Sequence, residues 1–155
     1  MEKAYWPFEV DQHIRAQSRY YAGKIGSKFY VALRDSGKIL AVKCPRCGKV
    51  YMPPRQTCGP CFHNMNENDM VEVGPGGVVE TYAVVNYDEP FMPRRAPFVY
   101  AVIRLRGADT GLVHFIDEAG PGGIEIGMEV EAVFAPERKG TILDISHFRP
   151  ARSAR

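Results

Sequence analysis

The sequence lacks the motifs on which most small enzymes depend. Its 155 residues contain no Gly-x-Ser-x-Gly nucleophile elbow, no phosphate-binding loop and no dinucleotide fingerprint. The four histidines, His13, His63, His114 and His147, are scattered along the chain. We therefore predict no catalytic residue.

A strong charge of one sign and a long apolar run are also missing. The formal net charge is +2, and it falls to zero if four thiolates bind a divalent metal, which disfavours a general nucleic-acid-binding protein. Apolar stretches such as Phe98–Ile103 are too short to cross a bilayer, and the N-terminus has no secretory apolar core. We expect a cytoplasmic protein without a membrane partner. In the reducing cytoplasm, paired cysteines favour metal or redox chemistry over disulfides.

Residues 1–37 are predicted to form a helical docking arm. Asp11 or Ser18 can cap a helix start, whereas Gly23 and Gly26 indicate a break. Two interpretations stay open, a helix that packs on its own domain and an arm that docks on a partner protein. The apolar positions at three-, four- and seven-residue steps, which indicate one or two amphipathic helices, are Val10, Ile14, Tyr21, Ile25 and Phe29.

Residues 38–68 contain every cysteine. Cys44 and Cys47 form one Cys-x-x-Cys pair, and Cys58 and Cys61 form a second pair after ten intervening residues. Two such turns on facing hairpins place four sulfurs around one tetrahedral ion, so we predict a rubredoxin-like zinc ribbon with one zinc per chain. The stretches Ile39–Val42 and Val50–Met52 are the predicted strands of its first hairpin.

Four cysteines in this pattern have two alternative uses. A dithiol redox pair needs a helix after one Cys-x-x-Cys, which Gly48–Pro54 does not provide. A rubredoxin-like iron site uses the same four thiolates and stays open. Zinc is favoured because it stabilises a piece too small to fold unaided. Gly48 gives the first turn a permissive backbone, and since Phe62 takes the matching place in the second turn, we expect that turn to differ slightly.

Residues 69–149 are predicted to form a five-stranded OB-fold barrel, followed by a flexible tail at 150–155, so the whole protein is mainly β. In the second strand Val99, Ala101 and Ile103 alternate with outward-facing neighbours and belong in the core. The predicted strands, separated by glycine- and proline-rich turns, are Val78–Val85, Phe98–Arg106, Leu112–Ile116, Met128–Phe134 and Thr141–His147.

The order of arm, ribbon and barrel resembles the zinc-ribbon/OB-fold family of acyl-CoA-associated proteins. The resemblance covers Lys38 to Phe148, although the arm is longer than in many members. It is carried by Ile39–Cys47, Val50–Arg55, Gly77–Tyr82, Pro97–Ile103 and Ile126–Val130.

Members of that family accompany thiolases or related thiolase-fold enzymes as small non-catalytic subunits, and some help to enclose coenzyme A. The resemblance therefore implies a thiolase-fold partner subunit and acyl-CoA or coenzyme A as ligand. A specific case is the small subunit of a thiolase for aromatic acyl-CoA thioesters, such as benzoylsuccinyl-CoA in anaerobic toluene breakdown.

The loop Tyr87–Pro97, between the first two barrel strands, is the predicted ligand site, because an OB-fold commonly binds ligands there. Its apolar tip can cover an acyl or pantetheine chain, and its arginines can hold phosphates. The alternative is a loop that contacts only solvent or protein. The predicted ligand-binding residues, including two on the following strand, are Phe91, Met92, Arg94, Arg95, Arg104 and Arg106.

Three functions follow from these predictions. The leading hypothesis is a zinc-containing accessory subunit of a thiolase-type acyltransferase complex, without catalysis by this chain alone. If all four cysteines hold the metal, no thiol remains as an acyl-accepting nucleophile. The alternatives are a nucleic-acid-binding module, disfavoured by charge and by Glu129 and Glu131 on a barrel strand, and a rubredoxin-like electron carrier.

Overall fold

The fold consists of one helix and eight strands within residues 7–10, 18–90 and 92–151, which the computed structural model describes. Predictions that concern Asp11, Ile14 and Phe91 lie outside the described residues. No helix among the described residues is long and apolar enough to span a membrane. The elements are α1 (Gly23–Ser36), β1 (Ile39–Lys43), β2 (Val50–Tyr51), β3 (Met70–Val73), β4 (Gly76–Val85), β5 (Phe98–Leu105), β6 (Leu112–Ile116), β7 (Glu129–Phe134) and β8 (Ile145–Pro150), with short 3₁₀ helices at Pro121–Gly123 and Ile142–Asp144.

Helix α1 forms because one face of it is buried. Ile25, Phe29 and Leu33 recur every four residues and are all buried. Gly26 lies inside the helix, so the break that we predicted there is wrong. The burial of this apolar face offsets the roughly 1 kcal/mol helix cost of a glycine. Gly37 ends the helix in the left-handed conformation, with a φ of 63°.

Ser18 and Val10 take no part in a helix. Ser18 has no regular structure, and the residue that caps α1 is Ala22, whose side chain makes no capping hydrogen bond. Val10 is 71% exposed outside any regular element. Within the described residues, the helical part of the arm is therefore confined to Gly23–Ser36.

The ribbon hairpin has the predicted strands. β1 pairs antiparallel with β2, with Val42 opposite Tyr51. On its other edge β1 pairs with β3, where Ile39 lies opposite Val73. Strand β3 thus belongs to a three-stranded sheet in the order β2-β1-β3, and β4 begins the barrel.

The barrel is closed in the order β4-β5-β6-β8-β7, with β7 pairing back to β4. Only the β6–β8 pair is parallel among the described barrel strands, and the others are antiparallel, as in a Greek-key OB-fold. The alternation predicted for β5 is confirmed, since Val99, Ala101 and Ile103 are at most 3% exposed. The five-stranded barrel of the predicted fold class is confirmed.

The last strand differs most from the prediction. Residues 142–144 form a 3₁₀ turn, and β8 begins at Ile145 instead of Thr141. The buried Asp144 carboxylate accepts the backbone N–H groups of Lys139 and Gly140 at 2.8 and 2.7 Å. These bonds hold the chain in a local turn in place of a ladder. At the other end, Ala151 N–H donates to the Glu129 carbonyl at 2.9 Å.

One hydrophobic core joins the three parts of the chain. It includes Leu33 of α1, Ile39 of β1, Met52 beside β2, and barrel residues such as Ile103 and Phe148. A second, smaller cluster lies around the cysteines and consists of Ile25, Val42, Cys44, Tyr51, Cys58 and Met65. The ribbon therefore rests on the barrel through its base, while its outer half has a core of its own.

Candidate metal centre and ligand loop

The four cysteines converge on one point. The Sγ atoms of Cys44, Cys47, Cys58 and Cys61 all lie within 4.8 Å of one another, and those of Cys47 and Cys58 are 3.6 Å apart. Four sulfurs around one zinc ion, each about 2.3 Å from it, stand roughly 3.8 Å apart, so the donor set fits a single tetrahedral ion. The predicted zinc site is confirmed as a set of four thiols that would hold one ion and tie the two turns together.

Both turns of the ribbon use the same backbone hydrogen bond. The N–H of Gly48 donates to the carbonyl of Cys44 at 2.8 Å, and the N–H of Phe62 donates to that of Cys58 at 2.9 Å. Gly48 and Phe62 have φ angles of 76° and 52°, both in the left-handed region. The expected difference between the turns is wrong, because Phe62 adopts the conformation that a glycine favours.

Tyr51 is a neighbour of the thiols that the sequence did not identify. Its hydroxyl lies 3.2 Å from the Cys58 Sγ and accepts the Gly59 N–H. In the free thiols this hydrogen bond lowers the pKa of Cys58 to about 6, and the contact with Cys47 raises the pKa of Cys61 to about 12. Tyr51 thereby favours the thiolate that a metal requires. The sequence signals for this role are a hydroxyl-bearing side chain and its position in an apolar strand between the two cysteine pairs.

The loop between β4 and β5 lies against the barrel and is tied down by Arg94. The Arg94 guanidinium pairs with the Asp117 carboxylate, donates to the Ser146 carbonyl at 2.8 Å and lies 4.1 Å from the centre of the Phe115 ring. These contacts span up to 52 positions in sequence, so no local pattern could predict them. Arg94 therefore has partners within the fold.

Met92 and Arg95 remain accessible on the same loop. Arg95 is exposed, Met92 is half-buried, and both line a cleft of about 500 Å³ that is also bordered by Asp88 and Glu89. The Asp88 carboxylate accepts the Ala96 N–H at 2.6 Å, which leaves it a structural role in the loop. Arg94, Pro90 and Pro93 line the cleft as well. Since Arg94 is paired with Asp117, the described part of the cleft offers a ligand mainly the exposed Arg95 cation and apolar surface from Met92 and the two prolines.

Arg104 and Arg106 do not join this cleft. Arg104 lies near the far end of β5 and Arg106 directly follows that end, while the loop enters the strand at Phe98. At about 3.3 Å per residue, Arg104 lies on the order of 20 Å along the strand from that entry. The Arg104 side chain pairs with Glu80 at 2.8 Å, and Arg106 lies beside Gly76. The structure therefore separates the predicted ligand residues into two groups.

A zinc ribbon seated on an OB-fold barrel defines the class of the protein, and comparisons with known proteins identify its family. The family model for the rubredoxin-like zinc ribbon domain of ChsH2 matches residues 32–63, and that for its C-terminal OB-fold domain matches residues 70–135. Together with two DUF35 relatives of 34% and 32% identity, these matches show that the chain belongs to the DUF35 family.

Two archaeal relatives are described as DUF35 domain-containing scaffold proteins. That of Methanocaldococcus jannaschii is 34% identical over 96 residues, which cover 62% of this chain and 67% of the relative. That of Methanothermobacter thermautotrophicus is 32% identical over 97 residues, covering 63% and 71%. Family membership and these relatives support a zinc-containing scaffold role.

Two solved structures share the fold. One, described as the Ltp2-ChsH2(DUF35) aldolase, has a TM-score of 0.60 and 25% identity over 81% of this chain and 94% of the other. A DUF35 protein from Sulfolobus solfataricus has a TM-score of 0.60 and 22% identity over 83% and 84% of the two chains, which shows the fold alone.

Proposed function

We propose that this chain is a non-catalytic accessory subunit that docks on a thiolase-fold enzyme and helps it to bind or channel acyl-CoA. One observation carries the proposal, namely that all four cysteines of the sequence lie in one metal centre. A zinc-bound thiolate is not free to accept an acyl group, so thioester exchange has to use a nucleophile of the partner. A cytoplasmic location belongs to the proposal, because thiols stay reduced there.

The relatives support an accessory role. The two archaeal proteins are described as scaffolds, and the solved ChsH2 structure is described together with Ltp2 as an aldolase. A scaffold role and, in one structure, a second protein named beside the family member are the features on which the accessory role rests. The thiolase-fold partner is the more specific part of the proposal, and it rests on the resemblance of the ribbon and barrel motifs.

The ligand part of the proposal concerns the loop between β4 and β5. Met92 offers apolar surface to a pantetheine or acyl chain, and the exposed Arg95 offers a cation to a phosphate. Because Arg94 is already paired with Asp117, its role in the proposal is to hold this loop in place. The enzyme subunit would supply the remaining phosphate contacts.

Affinity purification of the tagged chain from its native cells tests the proposal. A thiolase-fold enzyme should co-purify in a fixed ratio, and coenzyme A-dependent cleavage of acyl-CoA should require the complex. Cleavage by the purified single chain would refute the non-catalytic role. Capture of another enzyme class in place of a thiolase would refute the choice of partner.

A further inference from the structure

Phe62 is an exposed aromatic residue in a backbone conformation that favours glycine. Its φ is 52°, and its side chain is 83% exposed to solvent. Among the described residues the only other non-glycine residue with a positive φ is Glu118, whose carboxylate is hydrogen-bonded to His147 at 3.1 Å. Phe62 has a bulky side chain in a strained position and gains little burial from it.

The fold itself does not require a phenylalanine here. Gly48 occupies the equivalent position of the first turn, with the same hydrogen bond and the same sign of φ. A glycine at position 62 would close the second turn without strain. Strained backbone persists where something else favours it, and such positions cluster at functional sites.

The ribbon segment that carries Phe62 is basic, although Asp109 borders the same surface as Lys43 and Lys49, where its carboxylate accepts the Val50 N–H at 2.7 Å. From Ser36 to Asn66 the sequence has five lysines and arginines and no aspartate or glutamate. Within the described ranges no ion pair involves the four cations of this stretch that either precede a cysteine in sequence or lie over the Tyr51 ring. Those cations are Lys43, Arg46, Lys49 and Arg55.

A series of contacts through Tyr51 and Cys58 connects two of these cations to Phe62. Arg55 and Lys49 lie 4.5 and 5.8 Å from the centre of the Tyr51 ring. The Tyr51 hydroxyl contacts the Sγ of Cys58, whose carbonyl accepts the Phe62 N–H. We call Phe62 with Lys43, Arg46, Lys49 and Arg55 the ribbon tip.

We infer that the ribbon tip docks on an acidic protein surface that has an apolar pocket for the Phe62 ring. Buried aromatic residues and arginines carry much of the binding energy at protein interfaces, and surrounding charges set the partner and the salt dependence. A protein partner fits better than a nucleic acid, because the chain as a whole is only weakly basic. This inference names the surface by which the proposed subunit meets its enzyme, so it rests on the proposed function.

The substitution Phe62→Gly separates docking from folding. Glycine relieves the left-handed strain, so the variant should retain one zinc per chain and melt at or above the wild-type temperature. Its affinity for the separately purified partner enzyme should fall at least about tenfold. Phe62→Asn, which also tolerates this conformation, should behave alike. Ile126→Ala, at an apolar residue 69% exposed on the barrel, is the matched control and should bind normally.

The charges are tested with Arg46→Glu combined with Arg55→Glu. This variant should bind the enzyme at least about tenfold more weakly at low salt and should lose most of the salt dependence of the wild-type complex. Unchanged affinity of both the Phe62→Gly and the double variant would overturn the inference. Loss of zinc or a lower melting temperature in Phe62→Gly and Phe62→Asn would overturn it too, because Phe62 would then serve the fold.

The two proposals fail in different ways. If a thiolase-fold enzyme binds the wild type, Phe62→Gly and the Arg46→Glu, Arg55→Glu double variant equally well, the proposed function stands and the docking surface is wrong. If it binds another class of enzyme in a Phe62-dependent manner, the docking surface stands and the thiolase partner is wrong. Capture of no protein, or Phe62-dependent binding to a single-stranded oligonucleotide in place of a protein, overturns the docking surface.

Discussion

Arg94 has three partners on the barrel, and each of them uses a different property of the guanidinium. The Asp117 carboxylate forms an ion pair with it, the Ser146 carbonyl accepts a hydrogen bond from it, and the Phe115 ring packs against its planar face. The ion pair is partly exposed, with side-chain exposures of 26% and 39%, so screening limits its contribution. Together the three contacts hold the loop against the barrel. In this structural role Arg94 differs from its exposed neighbour Arg95.

Replacement of each arginine by alanine should therefore give different results. Arg94→Ala should lower the free energy of unfolding by about 1–3 kcal/mol and make the loop more sensitive to protease. Arg95→Ala should leave stability within about 0.5 kcal/mol of wild type and weaken coenzyme A binding to the complex. Urea unfolding and calorimetry measure the two effects. Equal stability of both variants would show that Arg94 does not fasten the loop.

His114 is a buried histidine whose ring is fully hydrogen-bonded. Its Nδ1 accepts the Phe115 N–H at 2.9 Å, which leaves the proton on Nε2, 3.2 Å from the Ile142 carbonyl. Burial lowers the pKa of the His114 imidazole, and the hydrogen bond to Ile142 opposes this only in part. The folded protein consequently holds His114 neutral at a pH where the unfolded chain protonates it.

This lowered pKa makes stability depend on pH. The contribution of His114 is complete above the unfolded pKa of about 6.5 and is lost as pH falls through the lower folded pKa. Between pH 7.5 and 5.5 the wild type should lose more stability than His114→Asn, whose side chain cannot be protonated. Chemical unfolding at several pH values with zinc present measures the two slopes. Parallel slopes would contradict this assignment.

Helix α1 shows at the scale of elements why periodicity predicts better than local propensity. The spacing of Ile25 and Phe29 predicts their burial correctly, whereas the low helix propensity of Gly26 does not end the helix. The free energy lost by placing a poor helix former at one position is smaller than the free energy gained by burying an apolar helix face. The same reasoning explains the strands, whose alternation predicted four of the five barrel strands to within two residues at each end.

Two parts of the structure could not be predicted from the apolar pattern, because polar contacts fix them, local ones in the first case and distant ones in the second. The turn before β8 is fixed by the Asp144 carboxylate, and nothing in the apolar pattern of Thr141–His147 distinguishes it from a strand. Cysteine spacing alone predicted the metal centre, because two short turns bring their own ligands together. No local sequence pattern predicts the contacts of the ligand loop, because the partners of Arg94 are brought near it only by the tertiary structure.

Leu33 provides a test of how α1 is held. It is fully buried in the core shared with the barrel, whereas Val31 on the same helix is 45% exposed. Leu33→Ala should lower the free energy of unfolding by about 2–5 kcal/mol through lost burial and a cavity. Val31→Ala is the matched control and should change it by less than about 0.5 kcal/mol. Similar values for both variants would mean that the helix is not anchored through this face.

At the scale of the whole molecule, the two hydrophobic clusters divide the chain differently from its sequence segments. The large core runs from α1 and the base of the ribbon into the barrel. The small cluster contains two of the metal-binding cysteines, and its remaining members come from the outer ribbon and the start of α1. A cluster of this size cannot stabilise its segment without the metal.

Removal of zinc should therefore unfold one part of the protein and spare the other. With a chelator, or in Cys58→Ser, residues 44–66 should lose protection from amide hydrogen exchange, because the small cluster loses the ion that ties its two turns together. The barrel strands β4–β8 should keep most of their protection, since their core is made largely by residues outside the ribbon. Returning zinc to the chelated wild type should restore the ribbon, and Cys58→Ser should not recover. Loss of protection across the barrel at the same chelator concentration would show that the chain unfolds as one cooperative unit held by the metal.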